Sequence, residues 1–262
     1  MNSMKPVLLV VSFGTSHEET CRKNIGAIED ALKNAFPNYE VRRAFTAKTV
    51  IKKLREEGVS VDTVGEALAR LVDEGVREAV IQPTHVMPGT EYEMMKEEAA
   101  AFYGRFDRLS IGKPLLADES DYDEVRRIIV DFSKEYDDPD TAVVLMGHGT
   151  VHNANIGYAK LQRRINAGGR SNIFIGTVEA MPTVHYIRAL IRLGDYKRVV
   201  MMPFMIVAGD HAVNDMAGDG EDSWKTIFEE DGFEVRCVLR GLGENADIRR
   251  LFIRHAAAAM TE

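Results

Sequence analysis

The sequence lacks the features that mark exported, cross-linked or membrane-embedded chains. It has two cysteines, Cys21 and Cys237, among 262 residues. Two cysteines cannot build a disulfide framework or a four-cysteine zinc site, so a reducing compartment is the simplest interpretation. No apolar run approaches the roughly 20 residues that a membrane-spanning helix needs. The N-terminal apolar run, residues 7–11, is too short for an export signal. We therefore expect a cytoplasmic protein that has no membrane partner.

The chain also has fewer basic than acidic residues. The chain carries 33 Lys and Arg against 41 Asp and Glu, which gives a formal net charge of −8. A sequence-independent nucleic-acid binder needs the opposite sign, so we expect no nucleic-acid partner. Hydrophobic residues make up 45% and charged residues 28%, which is ordinary for a globular protein and excludes disorder as the main state.

Apolar runs alternate with segments of helical spacing along the whole chain. Residues 7–11 and 142–146 are continuous apolar runs, which are typical of strands buried on both faces of a parallel sheet. A glycine-containing turn and then a helical pattern follow each of them. Strands that alternate with helices predict an α/β fold with a parallel sheet.

The stronger feature is an internal repeat. Residues 7–15 align with residues 142–150, and residues 83–89 align with residues 203–209. The repeat predicts two similar lobes, 1–138 and 139–262, each with a mostly parallel four-stranded sheet flanked by helices. Ligands of such sheets bind at the carboxyl ends of the strands, so we expect the active site in a cleft between the lobes.

The two halves differ in chemistry at matched strand ends. The second half places His148, Glu179 and His211 after three strands, where the first half has mostly apolar residues, beginning with Phe13. Taken singly, a histidine beside a glycine is usually a turn residue, and a glutamate before a helix is often an N-cap. Together, two imidazoles and a carboxylate resemble a divalent-metal site with open coordination positions. Glu91, in the matched loop of the first half, would approach from the opposite wall.

Other motifs carry less weight. His85 lies in the same loop as Glu91, and whether it packs there, binds metal or carries a proton is left open. The Gly-His-Gly sequence around His148 lacks the P-loop spacing, and no GxGxxG follows either first strand, so we expect no nucleotide. No GxSxG nucleophile motif is present either.

Five segments together point to a known family. They are residues 12–16 (SFGTS), 82–93 (QPTHVMPGTEYE), 146–150 (MGHGT), 176–182 (GTVEAMP) and 208–216 (AGDHAVNDM). In this order they resemble the sirohydrochlorin cobaltochelatases of the anaerobic cobalamin pathway. These are class II, ATP-independent chelatases of the ferrochelatase-like superfamily, and the resemblance covers essentially the whole chain.

The resemblance implies an activity and roles for the candidate residues. The activity is insertion of Co²⁺ into sirohydrochlorin or a precorrin-2-type tetrapyrrole, without nucleotide. His148 and His211 would bind the metal and accept pyrrole protons, Glu179 would be the third metal ligand, and Glu91 matches the acidic catalytic position of the first lobe. Because the substrate is a polycarboxylate, we also expect Lys or Arg side chains around the cleft.

Several alternatives stay open at this point. The same ligands suit a ferrochelatase of sirohaem synthesis or a nickel chelatase, because metal affinity follows the metal series rather than biological use. A non-catalytic carrier of tetrapyrrole or metal and a metal-dependent hydrolase are more remote. Whether the chain forms a homo-oligomer is also open.

Overall fold

The computed structural model describes residues 4–261, in which strands and helices alternate as the sequence predicts. The strands are β1 (Val7–Ser12), β2 (Glu40–Phe45), β3 (Glu78–Pro83), β4 (Arg108–Ile111), β5 (Thr141–Gly147), β6 (Ile173–Thr177), β7 (Arg198–Pro203) and β8 (Glu234–Cys237). The α-helices are α1 (Glu18–Cys21), α2 (Ala27–Ala35), α3 (Lys48–Glu56), α4 (Val64–Asp73), α5 (Thr90–Ala100), α6 (Glu119–Ser133), α7 (Ile156–Ala167), α8 (Val184–Ile191), α9 (Trp224–Glu229) and α10 (Ala246–Ala259). π-helical turns occur at Arg22–Gly26 and His211–Met216. None of the helices between residues 4 and 261 is both long and apolar enough to cross a membrane.

The strands form two four-stranded sheets of identical order. One has the order β2-β1-β3-β4 and the other β6-β5-β7-β8, and every neighbouring pair is parallel. The central strands β1 and β5 are buried along their whole length, as expected for strands covered on both faces. The predicted pair of four-stranded α/β sheets flanked by helices is therefore confirmed.

The chain divides into two compact units. The first unit contains the described residues up to Ala117 and those from Gly243 onward, and the second unit is Asp118–Leu242. On one face of the first sheet, Leu68 and Leu71 of α4 pack with the side chains of β1 and β3. In the second unit, Ile187 of α8, Trp224 and Phe228 pack in the same way with β5 and β7.

These units differ from the predicted lobes 1–138 and 139–262 at two helices. Helix α6 belongs to the second unit, where it packs on α7, and its Glu119 pairs with Lys160 and Arg164. Helix α10 belongs to the first unit, where it packs on α2 and β3. The sequence pattern shows that each helix has an apolar face but not which sheet covers that face, because this depends on contacts between residues far apart in the chain.

Because α10 packs in the first unit, a cavity in α10 should destabilise that unit first. Phe252 of α10 is fully buried, so Phe252→Ala should cost roughly 3–5 kcal/mol of unfolding free energy. In hydrogen exchange, the amides of β1 and β3 should lose protection before those of β5 and β7. The matched variant Phe228→Ala, at a fully buried position in α9, should reverse that order. Earlier loss in β5 and β7 for Phe252→Ala would contradict the assignment of α10 to the first unit.

Candidate metal centre

Strand register brings three loops of the second unit to one edge of its sheet. In the parallel pairs, Gly147 at the end of β5 is the partner of Thr177 at the end of β6, and Met146 is the partner of Pro203 at the end of β7. His148 follows β5 directly, and Glu179 lies two residues beyond β6. The loop after β7 leads to His211 at the start of a π-helical turn. Side chains from three adjacent strand ends therefore share one edge.

Backbone hydrogen bonds continue this pairing beyond the strands. The Val178 amide donates to the Gly147 carbonyl over 3.1 Å, and the Glu179 amide donates to the His148 carbonyl over 2.9 Å. As a result, Glu179 Oε2 lies 3.5 Å from His148 Nδ1. Main-chain hydrogen bonds thus place the backbone of Glu179 beside His148.

Two glycines flanking His148 are required by close packing. Gly149 has a φ of +85°, and a Cβ there would lie 2.9 Å from the Ala180 amide nitrogen. A Cβ on Gly147 would lie 2.4 Å from the buried ring of Tyr158. Burial raises the pKa of the Tyr158 hydroxyl to about 12, so this ring stays neutral beneath the loop. Packing within the loop therefore accounts for both glycines of the Gly-His-Gly sequence.

His211 reaches the same place from the π-helical turn. Its ring meets that of His148 edge to face, with 4.7 Å between the ring centroids and 88° between the ring planes. His148, Glu179 and His211 each offer one atom that could bind a metal, and these atoms all lie within 4.8 Å of one another. Within residues 4–261, this is the one cluster of three or more such groups close enough to hold a metal ion. The side chains are 38%, 54% and 35% exposed respectively, so the ion could be reached from outside.

The matched strand ends of the first unit have a different character. Phe13 follows β1 and is 41% exposed, whereas Phe45 at the end of β2 is buried against Gly14. Glu91 lies in the first turn of α5 with its Oε2 buried, and the described residues offer that oxygen no hydrogen-bond partner. The first unit therefore has phenylalanines where the second has His148 and Glu179, and among the described residues only the second set could hold a metal ion.

His85 sits in the loop between β3 and α5, in the first unit. Its Nε2 lies 3.4 Å from Thr46 Oγ1, and its ring meets Tyr92 edge to face with centroids 6.5 Å apart. Burial lowers the pKa of His85 to about 4, so the imidazole is neutral near pH 7. Its Nδ1 is buried with no hydrogen-bond partner among the described residues. His85 does not belong to the ligand cluster of the second unit.

Two parts of the site were missed by the sequence reasoning. Asp215 accepts a hydrogen bond from His211 Nδ1 over 2.5 Å, and the spacing of four residues within a helical segment was the available signal. Asn155 links two loops, since its Oδ1 accepts from the Thr150 amide and its Nδ2 donates to the Met181 carbonyl. No local pattern marks Asn155, because its partners lie in separate loops.

The loops also differ from expectation in charge. Residues 147–155, 178–183 and 204–217 contain no Lys or Arg. Instead each loop has an exposed apolar side chain a few residues after its ligating residue: Val151 is 98% exposed, Met181 56% and Val213 42%. The Lys or Arg side chains expected around the cleft are therefore not found in these three segments.

Comparison with known proteins identifies the family. The cobalt chelatase (CbiK) family model matches residues 6–261. A sirohydrochlorin cobaltochelatase of Salmonella typhimurium is 40% identical over 258 residues, which is 98% of this chain and 97% of that protein. The sirohydrochlorin cobaltochelatase CbiKC of Nitratidesulfovibrio vulgaris is 30% identical over 262 residues, covering 98% of this chain and 91% of that protein.

Solved structures agree on the fold. SirB from Bacillus subtilis, determined with Fe³⁺, superposes with a TM-score of 0.66 at 14% identity and covers 99% of this chain and 98% of its own. CbiX, described as the terminal enzyme of sirohaem biosynthesis in denitrifying bacteria, has a TM-score of 0.56 at 16% identity, with coverages of 97% and 99%. At these identities the likeness concerns the fold alone. The match of the family model to nearly the whole chain, with the two cobaltochelatase relatives, shows that the chain belongs to the cobalt chelatase family.

Proposed function

We propose that this chelatase inserts Co²⁺ into sirohydrochlorin, without nucleotide, as a cytoplasmic step of anaerobic cobalamin biosynthesis. The observation that carries the proposal is the cluster of His148, Glu179 and His211 at one sheet edge, in a chain of the cobalt chelatase family. The names of the two relatives supply the tetrapyrrole substrate. Cobalt is here a substrate that enters and leaves, rather than a resident cofactor.

The ligand types suit a metal that must be released. Imidazole is a good ligand for cobalt, iron and nickel, and a single carboxylate partly neutralises the charge of the ion. Three protein ligands leave coordination positions open for water and then for the ring nitrogens of the substrate. The partial exposure of His148 and His211 supports exchange of the ion with its surroundings.

The surroundings of the cluster suit a flat, largely apolar ring. Val151, Met181 and Val213 expose apolar surface on the three loops that carry the ligands, and those loops have no Lys or Arg. Apolar side chains around a few polar groups are typical of sites that bind small organic ligands. A hydrolase that binds phosphate or a small polar ester would have little use for such a rim.

The reaction also needs proton acceptors. Inserting a divalent ion into the macrocycle releases two protons from pyrrole N–H groups. Histidine can accept a proton near neutral pH, and a carboxylate can pass it to solvent. We assign this role to Glu91 and, once the ion has passed to the ring nitrogens and released their lone pairs, to His148 and His211. Oε2 of Glu91 is buried and has no hydrogen-bond partner among the described residues, so its capacity to accept a proton is unused, which supports the assignment.

Removing both imidazoles tests the metal site. The His148→Ala, His211→Ala double variant should lose more than about 100-fold in cobalt insertion, since even outer-shell partners of a metal are worth 10–100-fold. Conversion of sirohydrochlorin is followed by absorbance with Co²⁺, Fe²⁺ and Ni²⁺ in separate reactions. His185→Ala, at an exposed position on α8, is the control and should keep wild-type rates. Wild-type activity in the double variant would rule out the assigned site. If the wild-type protein inserts iron or nickel faster than cobalt, then that metal, and not cobalt, is the preferred substrate.

Glu91 has a matched control two residues away. Glu91→Gln keeps the shape of the side chain but removes a proton acceptor, so turnover should fall roughly 100-fold or more while KM changes little. Glu93→Gln removes a similar charge from the same helical turn, where Glu93 pairs with Lys96 at 2.8 Å. It should leave turnover unchanged. An equal fall in turnover for Glu91→Gln and Glu93→Gln would show that turnover depends on the negative charge of this helical turn and not on Glu91 as a proton acceptor.

A further inference from the structure

The hydrogen bond between His211 and Asp215 decides which nitrogen of His211 faces away from the helix. Nδ1 lies 2.5 Å from Asp215 Oδ2, four residues later in the π-helical turn His211–Met216. The turn is held by a five-residue backbone bond, in which the Ala217 amide donates to the Ala212 carbonyl over 3.2 Å. A carboxylate can only accept at this distance, so Nδ1 carries a proton and the lone pair of the ring lies on Nε2.

His148 has the same tautomer for a different reason. Its Nδ1 lies 3.0 Å from the carbonyl oxygen of Gly149, which likewise can only accept. Glu179 Oε2 lies on the same side of the ring, 3.5 Å from Nδ1. Both rings therefore carry the proton on Nδ1 and the acceptor lone pair on Nε2. A backbone carbonyl holds that proton in His148, and a side-chain carboxylate holds it in His211.

We propose that Asp215 is a positioning residue for metal binding, which holds His211 in the Nδ1–H tautomer with Nε2 directed to the ion. This inference rests on the proposed function, in which His211 is a metal ligand. Carboxylates that orient a ligating histidine are a recurrent feature of metal sites, and their loss typically costs 10–100-fold in affinity or activity. His211 is 35% exposed and Asp215 44%, so without the carboxylate the ring would be free to change tautomer and rotate in contact with water.

The Nδ1 partners of the two histidines differ in kind, so the effect on His211 can be tested separately from His148. The partner of His148 is part of the main chain of a loop fixed by Gly149, and no side-chain substitution removes it. The partner of His211 is a side chain and can be replaced without touching either imidazole. Asp215→Asn keeps the size of the group, but its amide can either accept from or donate to Nδ1, so the proton would no longer be held on Nδ1 and metal binding would weaken.

The first test is spectroscopic and uses no metal. Long-range ¹H–¹⁵N correlation spectra of the full-length protein assign the proton of each histidine ring. We expect His211 to be the Nδ1–H tautomer in the wild type and to show a mixture, or Nε2–H, in Asp215→Asn. His148 should be the same in both proteins. An unchanged His211 tautomer in both Asp215→Asn and Asp215→Ala would overturn the proposal.

The second test measures Co²⁺ binding by titration calorimetry. Asp215→Asn and Asp215→Ala should weaken binding by about 10–100-fold. Asp215→Glu, which retains a carboxylate, should restore part of the loss. The control is Asp219→Asn, because Asp219 is 91% exposed and pairs with Lys225 rather than with a histidine. Equal weakening by Asp219→Asn would show a general charge effect and contradict a positioning role.

The two proposals fail in different ways. Wild-type protein that does not bind Co²⁺ through His148 and His211 contradicts the proposed function, whatever the tautomer of His211. Wild-type protein that binds Co²⁺ there, while Asp215→Asn binds it equally well, contradicts only the role of Asp215.

Discussion

The parallel register of β5 with β6 and β7 is the constraint on which the candidate site depends. Because Gly147 pairs with Thr177, and Met146 with Pro203, three strands end at the same level of one sheet edge. A shift of β6 by one residue would turn its side chains to the opposite face and remove the amide of Glu179 from the carbonyl of His148. Main-chain hydrogen bonds of a buried sheet thus position the loops that carry His148, Glu179 and His211, although these side chains are partly exposed.

The two sheets show how one topology supports different chemistry. They have the same strand order, yet three residues of one strand-end set can hold a metal, while the other set has an exposed Phe13 and a buried Phe45. The difference between the two sheets thus lies in the side chains of the strand-end loops, which is where sites on a shared fold usually differ. The chain has a net charge of −8, and the loops that carry His148, Glu179 and His211 contain no Lys or Arg. These loops therefore supply no positive charge that could attract a polycarboxylate.

Much of this architecture could be predicted from sequence, for identifiable reasons. Strands such as β1 and β5 are buried on both faces and therefore appear as unbroken apolar runs, and the repeat marked the matched strand ends. His148, Glu179 and His211 could be found because each follows a strand closely or lies in a repeated loop. The sequence could not assign α6 and α10 to their units, since either sheet could cover their apolar faces. Asp215 was missed because its role depends on the orientation of one ring within a π-helical turn.

A crystal of the protein grown or soaked with Co²⁺ tests the central claim most directly. Anomalous scattering at the cobalt edge locates the ion independently of the surrounding side chains. We expect one strong peak bonded to Nε2 of His148, Nε2 of His211 and a carboxylate oxygen of Glu179. Cobalt bound at a different group of side chains, or at this edge through Nδ1 of either histidine, would contradict the site as described.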